Sequence, residues 1–302
     1  MEKNYIDGST FADMIVSGAA NLSSNKTAVN DLNVFPIPDG DTGDNMFMTI
    51  ESGARMLRDS DSDSLSEASS VASRGMLLGA RGNSGVILSR IFSGISKGLE
   101  NKPSADVRVL HLAMERGIQE SYSAVPVPVE GTILTVYRDA VKFAGDRIDE
   151  NSTLDSYFRD FNTELRRSLE HTPEQLDVLK EAGVVDSGGR GLMLIYTGYA
   201  AVMRGEEIAD PAALLAGDSQ VEEDIHDLSG DLPYAYCTEY DIVNCREDCT
   251  EGDVDSFRRL PGPAQSRYGV DFEMVGYGSA DLLPAVIRQY CRSSSVPTPL
   301  LP

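Results

Sequence analysis

Apolar residues in the first two thirds of the chain recur with the spacing of amphipathic helices. Near the N-terminus five of them follow the i, i+3, i+4 rule: Phe11, Met14, Ile15, Ala19 and Leu22. Ser9 or Thr10 is the predicted N-cap. The same spacing predicts six further helices, over residues 65–78, 86–99, 107–124, 132–147, 154–170 and 191–204. Strand-like alternation is nearly absent before residue 230, so the pattern predicts an all-α N-terminal domain, a bundle of about eight helices.

The pattern changes after residue 205. Residues 206–257 contain one basic residue, Arg246, against 16 acidic residues, and 206–230 is predicted to be an acidic solvated linker. An acidic docking arm is the alternative for this stretch. Residues 234–243 alternate and are rich in β-formers, which predicts a short α+β segment. The expected domains are therefore 1–205, the linker 206–230, and 231–302, which ends in a Pro- and Ser-rich tail expected to be poorly ordered.

Composition excludes several classes of protein. With 26 Lys+Arg and 48 Asp+Glu the chain has a formal net charge of −22, which argues against general binding to nucleic acid or anionic membranes. Residues 1–16 lack the basic and apolar regions of a signal peptide. The longest uncharged apolar stretch, 191–203, is shorter than the ~20 residues that span a bilayer. Four cysteines and no export signal favour a reducing compartment, so we expect a cytoplasmic protein.

The segment 32–46 combines turn-forming residues with crowded acids. Two prolines stiffen its approach, and two glycines permit tight turns. Asp39 and Asp41 lie two residues apart, and carboxylates this close repel each other unless a cation is present. The pair predicts a Mg²⁺ site shared with substrate phosphates, with a turn and helix N-cap as the alternative. For Asp44 the N-terminal turn of a helix is the favoured interpretation.

Three more glycine-containing turns each lead into a predicted helix, at residues 79–86, 129–134 and 183–192. Glycine-rich loops at helix N-termini expose N–H groups that bind phosphate. The turn at 79–86 is neither a Walker A loop nor a dinucleotide-binding fingerprint, since it lacks the Gly-Lys-Ser/Thr of the first and the preceding strand of the second. Each turn alone is more typical of an ordinary connection. Together, four such turns can cluster at one end of a bundle around a ligand.

Other chemistries have weaker support. The three histidines, His111, His171 and His226, lie far apart in sequence, and no Gly-x-Ser-x-Gly elbow supports a serine nucleophile. Cys245 and Cys249 have C-x3-C spacing, but no downstream histidine completes a zinc site.

Four motifs in order resemble the ATP-binding domain of the fatty acid kinase A subunit, which is related to the L subunit of bacterial dihydroxyacetone kinases. They are Asn33-Val-Phe-Pro-Ile-Pro-Asp-Gly-Asp-Thr-Gly with Asn45-Met46, Gly79-Ala-Arg-Gly-Asn-Ser-Gly-Val-Ile-Leu-Ser, Glu130-Gly-Thr-Ile-Leu-Thr and Gly183-Val-Val-Asp-Ser-Gly-Gly. The resemblance covers about residues 5–204 and continues through Tyr234-Ala-Tyr-Cys-Thr-Glu-Tyr. It implies a barrel of eight antiparallel helices, with ATP and two Mg²⁺ ions bound by the loops at one end.

The resemblance also implies a role for each motif residue. Asp39 and Asp41 would ligate both Mg²⁺ ions and Asn33 would complete the set, at a place where the dihydroxyacetone kinase branch has Asp. The residues assigned to the nucleotide are Asn45, Gly79, Asn83, Ser84, Gly85, Thr132, Asp186, Ser187 and Gly188. No catalytic residue is expected beyond the metal site. Asp44 departs from the family, which commonly has Thr there, and its charge would either weaken ATP binding or recruit a metal.

The resemblance implies an ATP-dependent kinase subunit. It would transfer the γ-phosphoryl group to a fatty acid carboxylate held by a separate fatty-acid-binding protein, giving acyl phosphate. A carboxylate acceptor needs no general base, which fits the lack of a nearby histidine in the motifs. A subunit of a dihydroxyacetone (glycerone) kinase is one alternative, and a nucleotide-binding scaffold without turnover is the other. Related kinases suggest a homodimer.

The chain departs from the family after about residue 257. The family continues well beyond 302 residues, and its middle domain uses the cysteine matching Cys237 with a downstream histidine pair for zinc. No histidine follows His226 in this sequence. We therefore expect a truncated, frame-shifted or divergent product in which zinc binding and partner docking are in doubt.

Overall fold

The computed structural model describes residues 5–58, 60 and 63–206, together with the backbone of three short strands between residues 238 and 288. The chain divides into two compact units, Met1–Asp218 and Ser219–Pro302. The predicted linker 206–230 lies outside the described residues except for Glu206. The tail and the cysteines Cys237, Cys245 and Cys249 also lie outside them.

The described part of the first unit is helical. Eight of its helices have 13 or more residues: α1 (Gly8–Ser23), α3 (Thr42–Arg58), α4 (Leu65–Leu78), α5 (Gly82–Gly98), α6 (Val107–Ser123), α7 (Ile133–Gly145), α8 (Leu154–Glu170) and α11 (Ser187–Met203). Three shorter helices connect them: α2 (Lys26–Asn30), α9 (Thr172–Gln175) and α10 (Asp177–Ala182). The predicted all-α bundle of about eight helices is confirmed.

Two kinds of prediction about helix starts need correction. The helices α5 and α11 begin at Gly82 and Ser187, four residues earlier than predicted, because the glycine-rich segments 82–85 and 187–190 form the first turn of each helix. The N-cap of α1 is Asp7 rather than Ser9 or Thr10, since the Asp7 carboxylate accepts the Thr10 N–H at 2.8 Å. The sequence analysis does not predict α2, and it predicts a helix after the turn at 32–46 without giving its bounds, which the structure shows as α3.

The long helices form a closed arrangement with alternating directions. Each helix in the order α1, α4, α5, α6, α7, α8, α11 contacts the next, and α11 contacts α1, which closes the ring. The remaining long helix, α3, contacts α1, α4, α5 and α11. Counted along the chain, the first, third and fifth long helices are α1, α4 and α6, and their N-terminal ends meet at one end of the bundle. Ile6 forms an antiparallel bridge with Ala105, and the Leu65 N–H donates to the Pro103 carbonyl at 3.0 Å. The second, fourth, sixth and eighth long helices, which are α3, α5, α7 and α11, therefore begin at the opposite end.

A cluster of aromatic side chains fills the middle of the bundle. Tyr137, Tyr157, Phe161 and Tyr196 are each no more than 2% exposed. The Phe161 and Tyr196 ring centroids lie 4.5 Å apart, and Phe161 also contacts the rings of Tyr137 and Tyr157. Because these residues belong to α7, α8 and α11, the cluster fixes the spacing of three helices whose ends reach the candidate site.

The described backbone of the second unit contains a three-stranded sheet. Its order is β2 (Phe272–Met274), β1 (Thr238–Ile242), β3 (Ala285–Arg288). The pairing of β1 is antiparallel to β2 and parallel to β3. The strand β1 lies within the segment 234–243 that was predicted to begin an α+β segment.

In the part of the chain that the structure describes, no helix is both long and apolar enough to cross a membrane.

Truncating the centre of the aromatic cluster is expected to destabilise the first unit strongly. Phe161→Ala removes a ring with 0% exposure and leaves a cavity, which costs about 3–5 kcal/mol of unfolding free energy. The matched control is Leu112→Ala on α6, where the side chain is 61% exposed and the change is expected to stay within about 0.5 kcal/mol. Denaturant unfolding followed by circular dichroism measures both values. Equal effects of the two substitutions would contradict the assignment of the core.

Candidate functional site

The N-termini of α3, α5, α7 and α11 meet at one end of the bundle. The Ser187 hydroxyl of α11 donates to the Thr42 hydroxyl of α3 at 3.2 Å. The Asn45 side chain of α3 lies directly against Gly82, the first residue of α5. These four helices are the second, fourth, sixth and eighth long helices, so their alternating directions bring the four glycine-containing turns together. Helix N-termini carry free N–H donors and partial positive charge, which favours an anionic ligand at this end.

Asp39, Asp41 and Asn33 form one cluster beside the first turn of α3. Asn33 is buried, and its Nδ2 donates to the Asp39 Oδ1 at 2.5 Å. Burial, followed by the hydrogen bond and charge of Asp39, raises the pKa of Asp41 to about 6. The Asn45 side chain also hydrogen-bonds the Asp41 carboxylate, which lowers this pKa in part. Both the burial and the neighbouring Asp39 disfavour the charged form of Asp41, so a bound cation would stabilise the ionised pair.

The donor set of this cluster fits a hard cation that also binds phosphate. Two carboxylates and an amide oxygen are the oxygen ligands that Mg²⁺ takes, and Mg²⁺ commonly completes its octahedron with waters and substrate phosphates. Among the described residues, no group of three or more His, Cys, Asp or Glu side chains is placed to hold a metal ion. The Asp39–Asp41 pair would therefore depend on oxygen atoms from a ligand and on Asn33 for further coordination.

The Asp44 carboxylate is paired with two side chains of α2. Its Oδ1 lies 2.7 Å from the Lys26 Nζ, and its Oδ2 accepts the Asn30 Nδ2–H at 2.6 Å. The hydrogen bond from Lys26 lowers the pKa of Asp44, so this carboxylate is ionised and counterbalanced. Lys26 and Asn30 belong to α2, which the sequence analysis missed, and no local pattern links them to a residue 14 or more positions away.

The loop before α5 has the features of a phosphate-binding turn. Arg81 occupies the N-cap position but its side chain makes no capping hydrogen bond, which leaves the first N–H groups of α5 without a side-chain partner there. Gly82 has a φ of +58°, and a Cβ at this position would collide with the Asn45 amide. The Asn83 Oδ1 is buried without a hydrogen-bond partner, and Ser84 is half-buried. An unpartnered buried acceptor is costly, and a donor such as a ligand hydroxyl or a bound water would relieve it, whereas phosphate would bind to the N–H groups.

The two remaining glycines of this loop lie against α3. Gly79 is the C-cap of α4, and a side chain there would collide with Ser52. A Cβ at Gly85 would meet Thr49, one turn beyond Asn45. Glycine at both positions therefore allows two helices to approach closely. The neighbours of both glycines are protein atoms.

Thr132, Asp186 and Ser187 are buried, and their polar groups bond to the protein. The Thr132 hydroxyl donates to the Val129 carbonyl at 2.8 Å. The Asp186 carboxylate caps α11 by accepting the Gly189 N–H at 2.7 Å, and it also accepts the backbone N–H of Ile133 at the start of α7. Burial outweighs these bonds and raises the pKa of Asp186 to about 6. Asp186 thus joins two helix N-termini.

Gly188, the last predicted nucleotide-binding residue, lies in this same junction. A Cβ at Gly188 would come within 3.2 Å of the Ile133 side chain. The structure therefore brings every predicted site residue to one end of the bundle, through contacts that link 33–45, 79–85, 132–133 and 186–189. Their roles toward a ligand stay a prediction.

One histidine lies closer to this end than its sequence position suggests. His171 is the C-cap of α8, and its Nδ1 lies 2.6 Å from the Arg167 carbonyl. The next residue, Thr172, accepts the Asp186 N–H through its hydroxyl. His111 instead lies against Gly145 at the far end of α7. Separation along the chain was therefore a poor measure of the distance from His171 to the site.

The comparison with known proteins identifies the family. The DAK2 domain family model matches residues 36–201, which is more than half of the chain. The chain belongs to the DAK2 domain family. The matched range includes Asp39, Asp41 and all nine residues assigned above to the nucleotide, while Asn33 lies just before it.

Relatives of this DAK2 domain chain are longer proteins. Protein YloV of Bacillus subtilis is 43% identical over 265 residues, which are 86% of this chain and 48% of YloV. An uncharacterized protein of Staphylococcus epidermidis is 45% identical over 239 residues, which are 78% of this chain and 43% of that protein. The chain spans about half the length of the curated relatives it matches.

Solved structures with similarity to this DAK2 domain chain include the dihydroxyacetone kinase from C. freundii, both in complex with AMP-PNP and Mg²⁺ and in its native form. The complex aligns with a TM-score of 0.49 and 20% identity, covering 63% of this chain and 33% of that one. The native form aligns with a TM-score of 0.46 over the same shares.

The buried cap Asp186 is expected to make stability depend on pH. Its pKa is 3.8 in the unfolded chain and about 6 in the fold, so the folded state keeps a proton that the unfolded state has lost between those values. This contribution to stability is present below about pH 4 and is lost as the pH rises through about 6. Asp186→Asn keeps the accepting oxygen without the charge. The free energy of unfolding of this variant, relative to wild type, should therefore rise by about 2 kcal/mol from pH 4 to pH 7.

Urea unfolding of wild type, Asp186→Asn and Asp186→Ala at several pH values between 4 and 7 measures this effect. Asp186→Ala also loses the pH-dependent contribution, but it should be less stable than Asp186→Asn by about 1 kcal/mol because the cap is gone. A constant difference between wild type and Asp186→Asn across the range would show that the carboxyl does not titrate as argued.

Proposed function

We propose that the chain is the ATP- and Mg²⁺-binding subunit of a kinase that phosphorylates a fatty acid. The acceptor carboxylate would be presented by a separate fatty-acid-binding protein, and the product would be acyl phosphate. The observation that supports this proposal best is the Asp39–Asp41 pair, which the Asn45 side chain connects to Gly82 at the N-terminus of α5, a helix without a side-chain cap. Carboxylates that need a cation, next to donors that suit phosphate, are what a Mg²⁺–polyphosphate complex requires.

Each group in the cluster has a specific task in this proposal. Asp39, Asp41 and Asn33 would hold Mg²⁺, which when bound neutralises the polyphosphate and stabilises charge on the transferred group. Asn45 and the turn at 82–85 would orient the phosphates with N–H and amide donors. Asp186 and Ser187 would support the nucleotide end of the site through the helix junction that they form. The chain itself would supply position and charge rather than a nucleophile.

The chemistry of the acceptor agrees with this arrangement. In the transfer, a carboxylate oxygen forms a bond to the γ-phosphorus while the bond from that phosphorus to the bridging oxygen of ADP breaks. A fatty acid is ionised at neutral pH, so no base has to remove a proton. Among the described residues, no histidine joins Asp39 and Asp41 in a cluster. An alcohol such as dihydroxyacetone would need a route for its proton, for which this cluster offers only its carboxylates.

Removing either acidic ligand is expected to weaken Mg²⁺-dependent nucleotide binding strongly while the fold remains intact. Asp39→Ala and Asp41→Ala each delete a charged ligand, and we expect affinity for Mg-ATP to fall by about 10- to 100-fold. Isothermal titration with and without Mg²⁺ measures this, and circular dichroism checks folding. Asp146→Ala, at the exposed C-terminal end of α7, is the matched control and should bind like wild type. Full Mg²⁺-dependent binding by both variants would refute the metal site.

Acyl phosphate formation tests the substrate directly. The chain is incubated with ATP, Mg²⁺ and a fatty acid loaded on a fatty-acid-binding protein, and hydroxylamine traps the product as a hydroxamate. Hydroxamate that requires ATP, the loaded partner and Asp41 would support the proposal. Phosphorylation of dihydroxyacetone instead would favour a glycerone kinase subunit. Nucleotide binding with no transfer to either acceptor would favour a scaffold role.

A further inference from the structure

Three side chains join α2 to the first turn of α3. The Asn30 Oδ1 accepts the Gly43 N–H at 2.7 Å and the Asp44 N–H at 3.2 Å. The Asn30 Nδ2 donates to the Asp44 Oδ2 at 2.6 Å, and the Lys26 Nζ lies 2.7 Å from the Asp44 Oδ1. Asn30 thus uses both ends of its amide on one turn of a neighbouring helix.

The close approach of the two helices depends on glycine. A Cβ at Gly43 would collide with the Lys26 carbonyl and would lie 2.9 Å from the Asn30 Oδ1. With hydrogen at this position, the backbone of α2 can lie against α3 and Asn30 can reach the two N–H groups. The first N–H groups of a helix have no partner within the helix, so Asn30 performs the work of an N-cap from another element.

The capped turn also contains the groups that the proposed function assigns to Mg²⁺ and phosphate. Asp41 directly precedes α3, and the Asn45 N–H donates to the Asp41 carbonyl at 2.9 Å. The Asn45 side chain connects Asp41 to Gly82. A shift of this turn would therefore move Asp41 and Asn45 together, relative to Asp39 and to the α5 loop.

We infer that Asn30 is a positioning residue, which holds the first turn of α3 so that Asp41 and Asn45 face the metal and phosphates, and that it acts with Lys26 by turning the Asp44 carboxylate toward α2. This inference rests on the proposed function. In this inference α2 contributes no ligand of its own, but it sets the position of the residues proposed to bind the metal.

A positioning role differs from a merely structural one in what it changes. Losing Asn30 should weaken the cation's part of binding more than the nucleotide's, because the turn holds Asp41, whereas the N–H donors of α5 belong to another helix. The informative quantity is the Mg²⁺ concentration that gives half-maximal nucleotide binding. It is measured by titrating Mg²⁺ from zero to saturation with a fluorescent ATP analogue and the whole 302-residue chain, and nucleotide affinity is also measured without Mg²⁺.

Asn30→Ala is expected to raise this Mg²⁺ half-saturation value by about tenfold, the effect of losing one charge-assisted hydrogen bond and its neighbours. Nucleotide affinity without Mg²⁺ should change by less than about twofold by the same argument. The matched control is Asn162→Ala on α8, whose amide donates to the Phe158 carbonyl at 2.8 Å and the Tyr196 carbonyl at 3.4 Å. That variant loses comparable bonds away from α3 and should keep the wild-type Mg²⁺ dependence.

A charge-conserving exchange provides the rescue. Asn30→Asp alone places a second carboxylate against Asp44 and should raise the Mg²⁺ requirement at least as much as Asn30→Ala. The double variant Asn30→Asp/Asp44→Asn reverses donor and acceptor. Its carboxylate at position 30 can accept the same two N–H groups and the new amide, and it lies one turn from Lys26. The double variant should return to within about threefold of wild type, since the hydrogen bonds are restored.

The possible results separate this inference from the proposed function. If wild type shows no Mg²⁺-dependent nucleotide binding, the proposed function fails and this inference falls with it. If wild type binds while Asn30→Ala keeps the wild-type Mg²⁺ dependence, or shifts no more than Asn162→Ala, only the positioning role is overturned. A double variant as weak as Asn30→Asp would also overturn it. Should Asn30→Ala lose its helical circular dichroism signal, the comparison of Asn30→Asp with the double variant decides.

Discussion

The arrangement of the candidate site depends on how the first turn of α3 is held. Four elements meet there: α2 through Asn30, α11 through Ser187, the α5 loop through Gly82, and the acidic segment before the helix through Asp41. The first N–H groups of a helix must find partners outside it, and here a side chain from another element supplies them. A demand of ordinary helix chemistry thereby fixes the position of the groups proposed to bind the cation.

Alternating helix directions explain why a site forms at this end and not along the side of the bundle. The aromatic cluster around Phe161 holds the middles of α7, α8 and α11 together, and the chain reverses direction after each long helix. Four N-terminal ends therefore converge. Their partial positive charges are directed at one region, in a chain whose net charge is −22. The helix N-termini therefore favour binding of an anion at this end, although the net charge of the chain is negative.

Elements defined by interactions between residues close in sequence could be predicted, and those defined by interactions between distant residues could not. The bounds of α4 and α8 match the predicted 65–78 and 154–170 because a regular apolar stripe and a polar start define them locally. The short helix α2 has one buried side chain, Val29, and so gives no periodic signal. The pair Asp39 and Asp41 was visible in sequence because the two residues are only two positions apart. The pairing of Asp44 with Lys26 was not, because it spans 18 positions and requires the fold.

The pairing of Asp44 resolves the question that its charge raises. An unpaired third carboxylate near Asp39 and Asp41 would either repel phosphate or add a metal ligand. Bonded to Lys26 and Asn30, it does neither by direct contact, and its charge is balanced within about 3 Å. It still contributes repulsion that raises the pKa of Asp41, so the lysine offsets the Asp44 charge without removing it. The site therefore keeps two carboxylates in excess, and that local excess of negative charge is what a divalent cation would neutralise.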